Sequence, residues 1–233
     1  MTKAKRLYPK DIFLLFFKSN KQLLFFILLM SVFRSAVADW YTVPTGSMQP
    51  TIKVGDRIIV NKMSYDLRLP FTDLSLLSLD TPQRGDIVVF ESKAANTRLI
   101  KRIIGLPGDV IAMHNGIIQI NGRIIVHQSY ATHQGQQRVN LTTSIETLDN
   151  IKHLINIDNN ASNRLSNFAS VIVPVGHYLV LGDNRRNSAD SRVYGFIPHK
   201  ELRGKATTIA FSLNYDNYYI PRSGRFLKDI YYI

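Results

Sequence analysis

Two residues of this 233-residue chain could together carry out acyl transfer: a serine in a turn and a lysine in an apolar run. Ser47 lies in "VPTGSMQPT", behind a glycine and between two prolines. These residue types commonly form bends, so a turn serine is one interpretation. A nucleophilic serine is the other, and it needs a base that removes the hydroxyl proton.

Lysine is one candidate for that base. The chain has no cysteine, and none of its six histidines is in a setting suited to catalysis, which leaves a carboxylate or a lysine. Lys101, in "RLIKRIIGLPGD", shares one strand face with Leu99 and Ile103. Apolar surroundings lower the pKa of a lysine and favour the neutral amine that acts as a base. A lysine that points to solvent from an edge strand is the alternative.

A third polar cluster, "LGDNRRNSADSR" at residues 181–192, follows a predicted strand. One interpretation is a polar turn held by its own Asx and serine hydrogen bonds. The other is a support for the amine, in which Ser188 exchanges a hydrogen bond with it while Asp190 and Arg192 brace the loop.

The N-terminal part contains a long apolar segment. Residues 22–41 read "QLLFFILLMSVFRSAVADWY", which reaches the roughly 20 residues of a spanning helix if Arg34 and Asp39 lie at the interface. We predict a single membrane anchor here. A cleaved signal peptide and an interfacial helix are the alternatives. Basic residues before the segment place the N-terminus in the cytoplasm and Ser47 outside it.

The rest of the chain is predicted to be mainly β. Short β-branched runs indicate strands, and Asn115-Gly116 and Asn121-Gly122 indicate two hairpin turns. We interpret residues 128–169 as a partly irregular insertion, with "TLDNIKHLINI" as a possible short helix. The predicted strands cover 57–60, 86–90, 98–105, 110–113, 117–120, 123–126, 170–174, 177–182 and 206–211.

The composition excludes several classes. A net charge of +12 is compatible with a basic soluble protein or an anionic membrane surface, but no basic block or nucleic-acid motif is present. We therefore predict no nucleic-acid partner. The absence of cysteine excludes disulfides, and no metal-ligand spacing appears. We expect His114, His127, His133 and His153 to be exposed and incidental.

Taken together, the sequence boxes resemble the type I signal peptidases, the membrane-anchored Ser/Lys endopeptidases also called leader peptidases. The resemblance rests on "PTGSMQPTIKVGD" (44–56), "RGDIVVF" (84–90) with "IKRIIGLPGD" (100–109), and "GDNRRNSADSR" (182–192). It includes the anchor and a closing "GKA" at 204–206, and only the insertion at 128–169 lacks a counterpart. The implied fold is an antiparallel, barrel-like catalytic β domain with one N-terminal transmembrane helix and a smaller inserted hairpin or irregular subdomain.

The resemblance implies roles for individual residues. Ser47 would be the nucleophile and Lys101 the general base, with the Ser47 N–H and the Thr45 hydroxyl holding the oxyanion. Ser188 would orient the lysine amine, supported by Asp190 and Arg192. The family more often has serine at the position of Thr45, and Arg186 stands where many relatives have an acidic residue.

The implied substrate is the signal peptide of an exported preprotein, cut after a small-x-small motif without a metal or cofactor. The peptide would lie extended between the segment before Ser47 and the strand before Lys101. An apolar pocket would accept the small side chains of that peptide. For each residue of this pocket, a place in the ordinary core is the alternative. That predicted pocket comprises Tyr41, Val43, Met48, Ile52, Leu99 and Ile100.

The implied location is a bacterial inner membrane, with the lipid bilayer as a partner and a single pass. The predicted division is a cytoplasmic N-terminus (1–21), an anchor (22–41), a catalytic domain (42–112 and 170–213), an insertion (113–169) and a tail (214–233) that is solvated or rests on the membrane. Three rivals remain: a self-cleaving repressor, an organellar processing peptidase, and a non-catalytic membrane-tethered basic β module that binds anionic lipid or polymer.

Overall fold

The structure, a computed structural model, describes residues 16–72, 74–130, 141–159 and 163–232. The helices are α1 (Lys21–Ala36) and α2 (Ser191–Tyr194), and most other elements are antiparallel strands. The strands are β1 (Ala38–Thr42), β2 (Asp56–Asn61), β3 (Asp66–Arg68), β4 (Ser75–Ser78), β5 (Ile87–Ser92), β6 (Thr97–Gly105), β7 (Val110–His114), β8 (Ile117–Ile120), β9 (Arg123–Ile124), β10 (His127–Ser129), β11 (Leu141–Leu148), β12 (Ile151–Asp158), β13 (Phe168–Ile172), β14 (His177–Leu181), β15 (Ile197–Pro198), β16 (Leu202–Asn214), β17 (Ile220–Pro221) and β18 (Lys228–Asp229). The prediction of a mainly β, antiparallel fold is confirmed.

The largest sheet carries the segments around Ser47 and Lys101. Its strands run in the order β1-β2-β16-β5-β6-β14-β15, with β17 and β18 also pairing with β16. Side chains alternate between the faces of β5, so Ile87 and Val89 enter one apolar cluster, and Val88 and Phe90 enter another. The sheet is therefore covered by a core on both faces, with the Ser47 turn on the side of Ile87 and Val89.

Three smaller sheets complete the fold. The order β13-β7-β8-β9 forms a four-stranded sheet with its own apolar core, the order β10-β11-β12 forms a three-stranded sheet, and β3 pairs with β4. The two predicted Asn-Gly turns flank β8, and Asn115 and Asn121 adopt the left-handed conformation that such hairpins require.

The N-terminal segment differs from the prediction for residues 22–41. The helix α1 ends at Ala36, where Lys62 Nζ donates to the carbonyls of Arg34 and Ser35 at 2.9 and 3.3 Å. Residues Ala38–Thr42 form β1 and pair with β2, because their alternating side chains fit the edge of the main sheet. Within the described ranges, we find no helix that combines the length and apolarity needed to cross a membrane.

The inserted segment also differs from its prediction, since "TLDNIKHLINI" forms no helix. It lies in the long hairpin of β11 and β12, which pair from Leu141 with Asp158 to Leu148 with Ile151. The strand pattern follows from period-two burial, in which Ser144, Glu146 and Leu148 alternate with less buried residues. Asp149 has φ 51°, so the turn of the hairpin contains a left-handed residue.

The C-terminal segment packs against the body rather than forming a solvated tail. β18 pairs with β16, Ile230 enters the core beside the Ser47 turn, and the Tyr231 hydroxyl accepts from Ile87 N at 2.9 Å. This segment therefore supports the same part of the main sheet that carries the candidate site.

Candidate active site

The Ser47 turn connects β1 to β2 and is held at its backbone by the loop after β14. Asn184 N donates to the Ser47 carbonyl at 3.0 Å, and Asn184 Nδ2 donates to the Gly46 carbonyl at 3.1 Å. The Ser47 side chain is partly exposed, while the next residue, Met48, is buried in the core. The turn is therefore anchored on both sides while its hydroxyl remains accessible.

Lys101 meets that hydroxyl. Its Nζ lies 2.8 Å from Ser47 Oγ and donates to the carbonyl of Ile100 at 2.9 Å. The side chain is 2% exposed, and this burial lowers the pKa of Lys101 to about 8, although the charges of Asp190 and Asp183 oppose the shift. A neutral amine is therefore accessible near neutral pH, and in that form the Ser47 hydroxyl donates to the nitrogen lone pair.

The residues predicted to support the amine lie in one loop. Asp190 is buried, accepts from Gly182 N at 3.0 Å, and forms a two-pronged ion pair with Arg192, with Nε–Oδ1 and Nη2–Oδ2 distances of 2.8 and 2.6 Å. Arg192 also donates to the carbonyl of Leu165 at 2.8 Å. Among described residues, the buried Ser188 Oγ has no hydrogen-bond partner, so the predicted bond to Lys101 is not formed.

Gly182 brings this loop against the Ser47 turn. A Cβ atom at this position would lie 2.3 Å from Ser188 Oγ and 2.5 Å from the Ser47 carbonyl oxygen. Both distances are far below contact, so only glycine allows the two segments to approach this closely.

A buried ion pair that the sequence analysis did not single out lies beside the site. Arg102 donates to Asp183 through Nε and Nη2 at 2.8 and 2.7 Å, and Thr51 Oγ1 donates to the same carboxylate at 2.6 Å. Burial is the largest single influence and raises the pKa of Asp183, but the charge and hydrogen bonds of Arg102, together with His153 and the Thr51 hydrogen bond, hold that pKa below its ordinary value. A charged residue inside the apolar run "LIKRIIG" was the signal that could have revealed this pair.

With this geometry established, comparisons with known proteins identify the family. The sequence profile of the family described as "Signal peptidase, peptidase S26" matches residues 17–211. The chain belongs to the signal peptidase S26 family. As a member of a peptidase family, it is a hydrolase.

Several signal peptidases are similar over most of their length. Signal peptidase I of Rickettsia typhi is 38% identical over 206 residues, covering 81% of this chain and 77% of that protein. That of Pseudomonas aeruginosa is 34% identical, covering 84% and 71%. A crystal structure of a signal peptidase I from Enterococcus faecalis covers 55% of this chain and 98% of its own, at 28% identity and a TM-score of 0.33.

The apolar residues predicted to bind substrate do not all share one surface. Val43, Met48 and Ile52 are at most 2% exposed and belong to the core cluster under the Ser47 turn. Tyr41 and Ile100 are partly buried and pack against that cluster. Leu99 instead packs against the cluster on the other face of the sheet, because neighbouring residues of a strand point in opposite directions.

Two free strand edges flank the site. β1 is the end strand of the main sheet, and residues 97–101 of β6 pair with β5 alone in the part of the chain that the structure describes. The two edges are near each other, since the Arg98 guanidinium lies 4.4 Å from the Tyr41 ring centroid. Such edges offer backbone groups to an added extended peptide.

The histidine prediction is partly wrong. His114 is exposed as expected, and His133 lies outside the described residues. His153 is 4% exposed and His127 is partly buried, because both face the buried carboxylate of Glu146 across the inserted sheet. Among the described His, Asp and Glu residues, no group of three or more is arranged to hold a metal ion.

Proposed function

We propose that this protein is a membrane-bound serine endopeptidase that removes signal peptides from exported preproteins, with Ser47 as nucleophile and Lys101 as general base. The observation that carries the proposal is the 2.8 Å separation of Lys101 Nζ and Ser47 Oγ, in surroundings that lower the pKa of the amine to about 8. The similar proteins described above are signal peptidases, which supports the substrate class.

In this mechanism, neutral Lys101 takes the Ser47 proton while Oγ attacks the scissile carbonyl. The resulting oxyanion is held by the Ser47 N–H, which has no hydrogen-bond acceptor among the described residues, and by the hydroxyl of exposed Thr45. The ammonium of Lys101 then protonates the leaving amine, which gives an acyl-enzyme. A water molecule, deprotonated by the same amine, hydrolyses the ester and restores Ser47.

Ser188 is proposed to orient the amine once substrate binds. A neutral lysine that accepts from Ser47 and donates to the Ile100 carbonyl has one N–H left. The buried Ser188 hydroxyl has a free acceptor for it, and buried polar groups normally find a partner. Asp190 and Arg192 hold the loop that carries Ser188, through the ion pair and the hydrogen bond to Gly182 N.

The preprotein is proposed to bind as an added strand between β1 and residues 97–101 of β6. Main-chain hydrogen bonds to these edges supply affinity without depending on side chains. The surface near Tyr41 and Ile100, which lies over the buried core residues Val43, Met48 and Ile52, is proposed to accept the small side chains of a small-x-small motif.

The membrane contact is proposed to involve α1. Most of its large apolar side chains between Leu23 and Phe33 are exposed, with exposed fractions from 41% for Met30 to 66% for Phe25, while Leu24 and Val32 are partly buried. The β3–β4 hairpin adds exposed Leu69, Phe71 and Leu74, and Phe71 N donates to Ser35 Oγ at 2.7 Å at the end of α1. A bilayer would cover these apolar groups, and the basic N-terminal residues would keep that end in the cytoplasm of a bacterial cell.

The test is cleavage of a precursor with an Ala-x-Ala site by the full chain in detergent, beside Ser47→Ala and Lys101→Met. The wild type should release the signal peptide, and both variants should fold and release none. Gln128→Ala, a change at an exposed residue of β10 in a separate sheet, serves as a handling control. Normal processing by a folded Ser47→Ala or Lys101→Met protein would overturn the proposal, and an inactive wild type that binds anionic vesicles would favour the basic β module instead.

A further inference from the structure

The inserted hairpin contacts the loop beside Ser47 through a buried ion pair. Glu146, on β11, is fully buried, and Arg185 approaches it with both prongs: Nη1 donates to Oε1 at 2.6 Å and Nη2 donates to Oε2. The cross-strand neighbours His127 and His153 place Nε2 atoms 3.0 and 3.1 Å from the same carboxylate. Burial alone raises the pKa of Glu146, but these partners, Arg185 foremost, hold it well below its ordinary value.

The backbone joins the same two segments. Asn156 N, on β12, donates to the Asp183 carbonyl at 2.8 Å, and Arg185 N donates to the Asn156 carbonyl at 2.9 Å. Residues 183–185 therefore lie along β12 as a short parallel bridge. Asn184, in the middle of this segment, makes the two hydrogen bonds that hold the carbonyls of Gly46 and Ser47.

We propose that Glu146 is a positioning residue for the reaction of Ser47, acting through Arg185 on the loop that holds the nucleophile turn. The inference rests on the proposed function, because it assigns the inserted hairpin a role in that reaction. Glu146 and Arg185 make no hydrogen bond to Ser47 or Lys101 in the described structure, so neither is a catalytic residue.

The fixed geometry of the ion pair between Glu146 and Arg185 explains how it can position the loop. Single hydrogen bonds such as those of Asn184 tolerate small displacements, whereas a planar guanidinium facing a carboxylate with two parallel bonds fixes both distance and orientation. Because each charge is costly to bury alone, the loop and the hairpin are stable only when these two groups meet. The position of Asn184, and with it the Ser47 carbonyl, is thereby set by a residue of the insertion.

The hairpin also has a second, independent attachment that provides a matched control. At its turn, Asp149 Oδ2 lies 3.0 Å from Arg84 Nε, far in sequence from the 183–185 segment. Asp149→Asn removes that ion pair and keeps a residue type that accepts the left-handed φ of 51°. Arg84 retains its contact with Asp109 at 3.0 Å in this variant.

The experiment measures kcat and KM for an Ala-x-Ala precursor, at a temperature well below each protein's unfolding transition. The main variant is the double change E146Q/R185M, which removes the ion pair without leaving a buried charge. A second variant, Arg185→Lys, keeps a cation but loses the two-pronged geometry. We expect kcat to fall about 10²-fold in the double variant and at least tenfold in Arg185→Lys, with KM within about twofold, because small misplacements of reacting groups have effects of this size.

Asp149→Asn should keep the wild-type kcat. If E146Q/R185M or Arg185→Lys folds and keeps the wild-type kcat, the inference is overturned, since the ion pair would then be purely structural. If the double variant does not fold, the result for Arg185→Lys decides. A parallel fall in Asp149→Asn would also overturn it, because any loosening of the hairpin would then suffice. An inactive wild type would instead refute the proposed function itself, so the two failures are distinguishable.

Discussion

Replacing Lys101 with methionine should make the protein more stable near neutral pH. Burial lowers the pKa of Lys101 to about 8 from the ordinary 10.5, so the charged amine opposes folding wherever the unfolded chain is protonated. At about 1.4 kcal/mol per pH unit, the gap corresponds to about 3 kcal/mol below pH 8. This cost disappears as the pH rises from about 8 to about 10.5. Methionine has a similar length and no charge, but it loses the hydrogen bonds to Ile100 and Ser47, at about 1 kcal/mol each.

The assay is urea unfolding of the wild type and Lys101→Met in the same detergent at pH 7, 8.5 and 10. We expect the variant to be more stable than the wild type by about 1–3 kcal/mol at pH 7. Between pH 7 and pH 10 the wild type should gain about 2.5 kcal/mol relative to the variant. Lys93→Met, at an exposed position, is the matched control and should show no such trend. A stability difference between Lys101→Met and wild type that is independent of pH would refute the buried-amine reasoning.

Three further predictions concern the same site. For a substrate without titratable groups, kcat/KM should fall about tenfold per pH unit below about pH 8, because only neutral Lys101 acts as a base. A kcat/KM that stays constant down to pH 6 would contradict this role. Gly182→Ala should reduce kcat about 10²-fold in steady-state assays, because its Cβ would lie 2.5 Å from the Ser47 carbonyl oxygen; unchanged kcat would show that the turn is free to move. Asp183→Asn should lower the free energy of unfolding, measured in urea, by about 3–5 kcal/mol, since it leaves Arg102 buried without its counter-charge. Glu91→Gln, in an exposed ion pair, should change it by less than about 1 kcal/mol, and equal effects of the two changes would refute the argument from burial.

The strands around the site could be predicted from the sequence because their side chains are strongly apolar. Runs such as "DIVVF" and "RLIKRIIG" read directly as β5 and β6, and the Asn-Gly pairs locate the turns on either side of β8. The meeting of Ser47 and Lys101, 54 positions apart, came from the family resemblance, since no local pattern encodes which strand faces a turn.

The inserted hairpin could not be predicted in this way, because much of its buried face is polar. Glu146 pairs with His153 and with Arg185 of the 182–192 loop, and Asn156 is also buried, so composition indicated a partly irregular segment. Only the period-two alternation of "LTTSIETL" pointed to a strand. Strand β1 was not predicted either, because its aromatic residues are of the types that also occur at a membrane interface.

Formation of an acyl-enzyme on Ser47 tests the central claim most directly. The full chain is incubated with an Ala-x-Ala peptide ester, quenched with acid, digested and examined by mass spectrometry. The peptide fragment that contains Ser47 should gain the mass of the acyl group in the wild type and show no gain in Ser47→Ala. An acyl group found on another residue, or turnover of the ester by Ser47→Ala at the wild-type rate, would contradict the account.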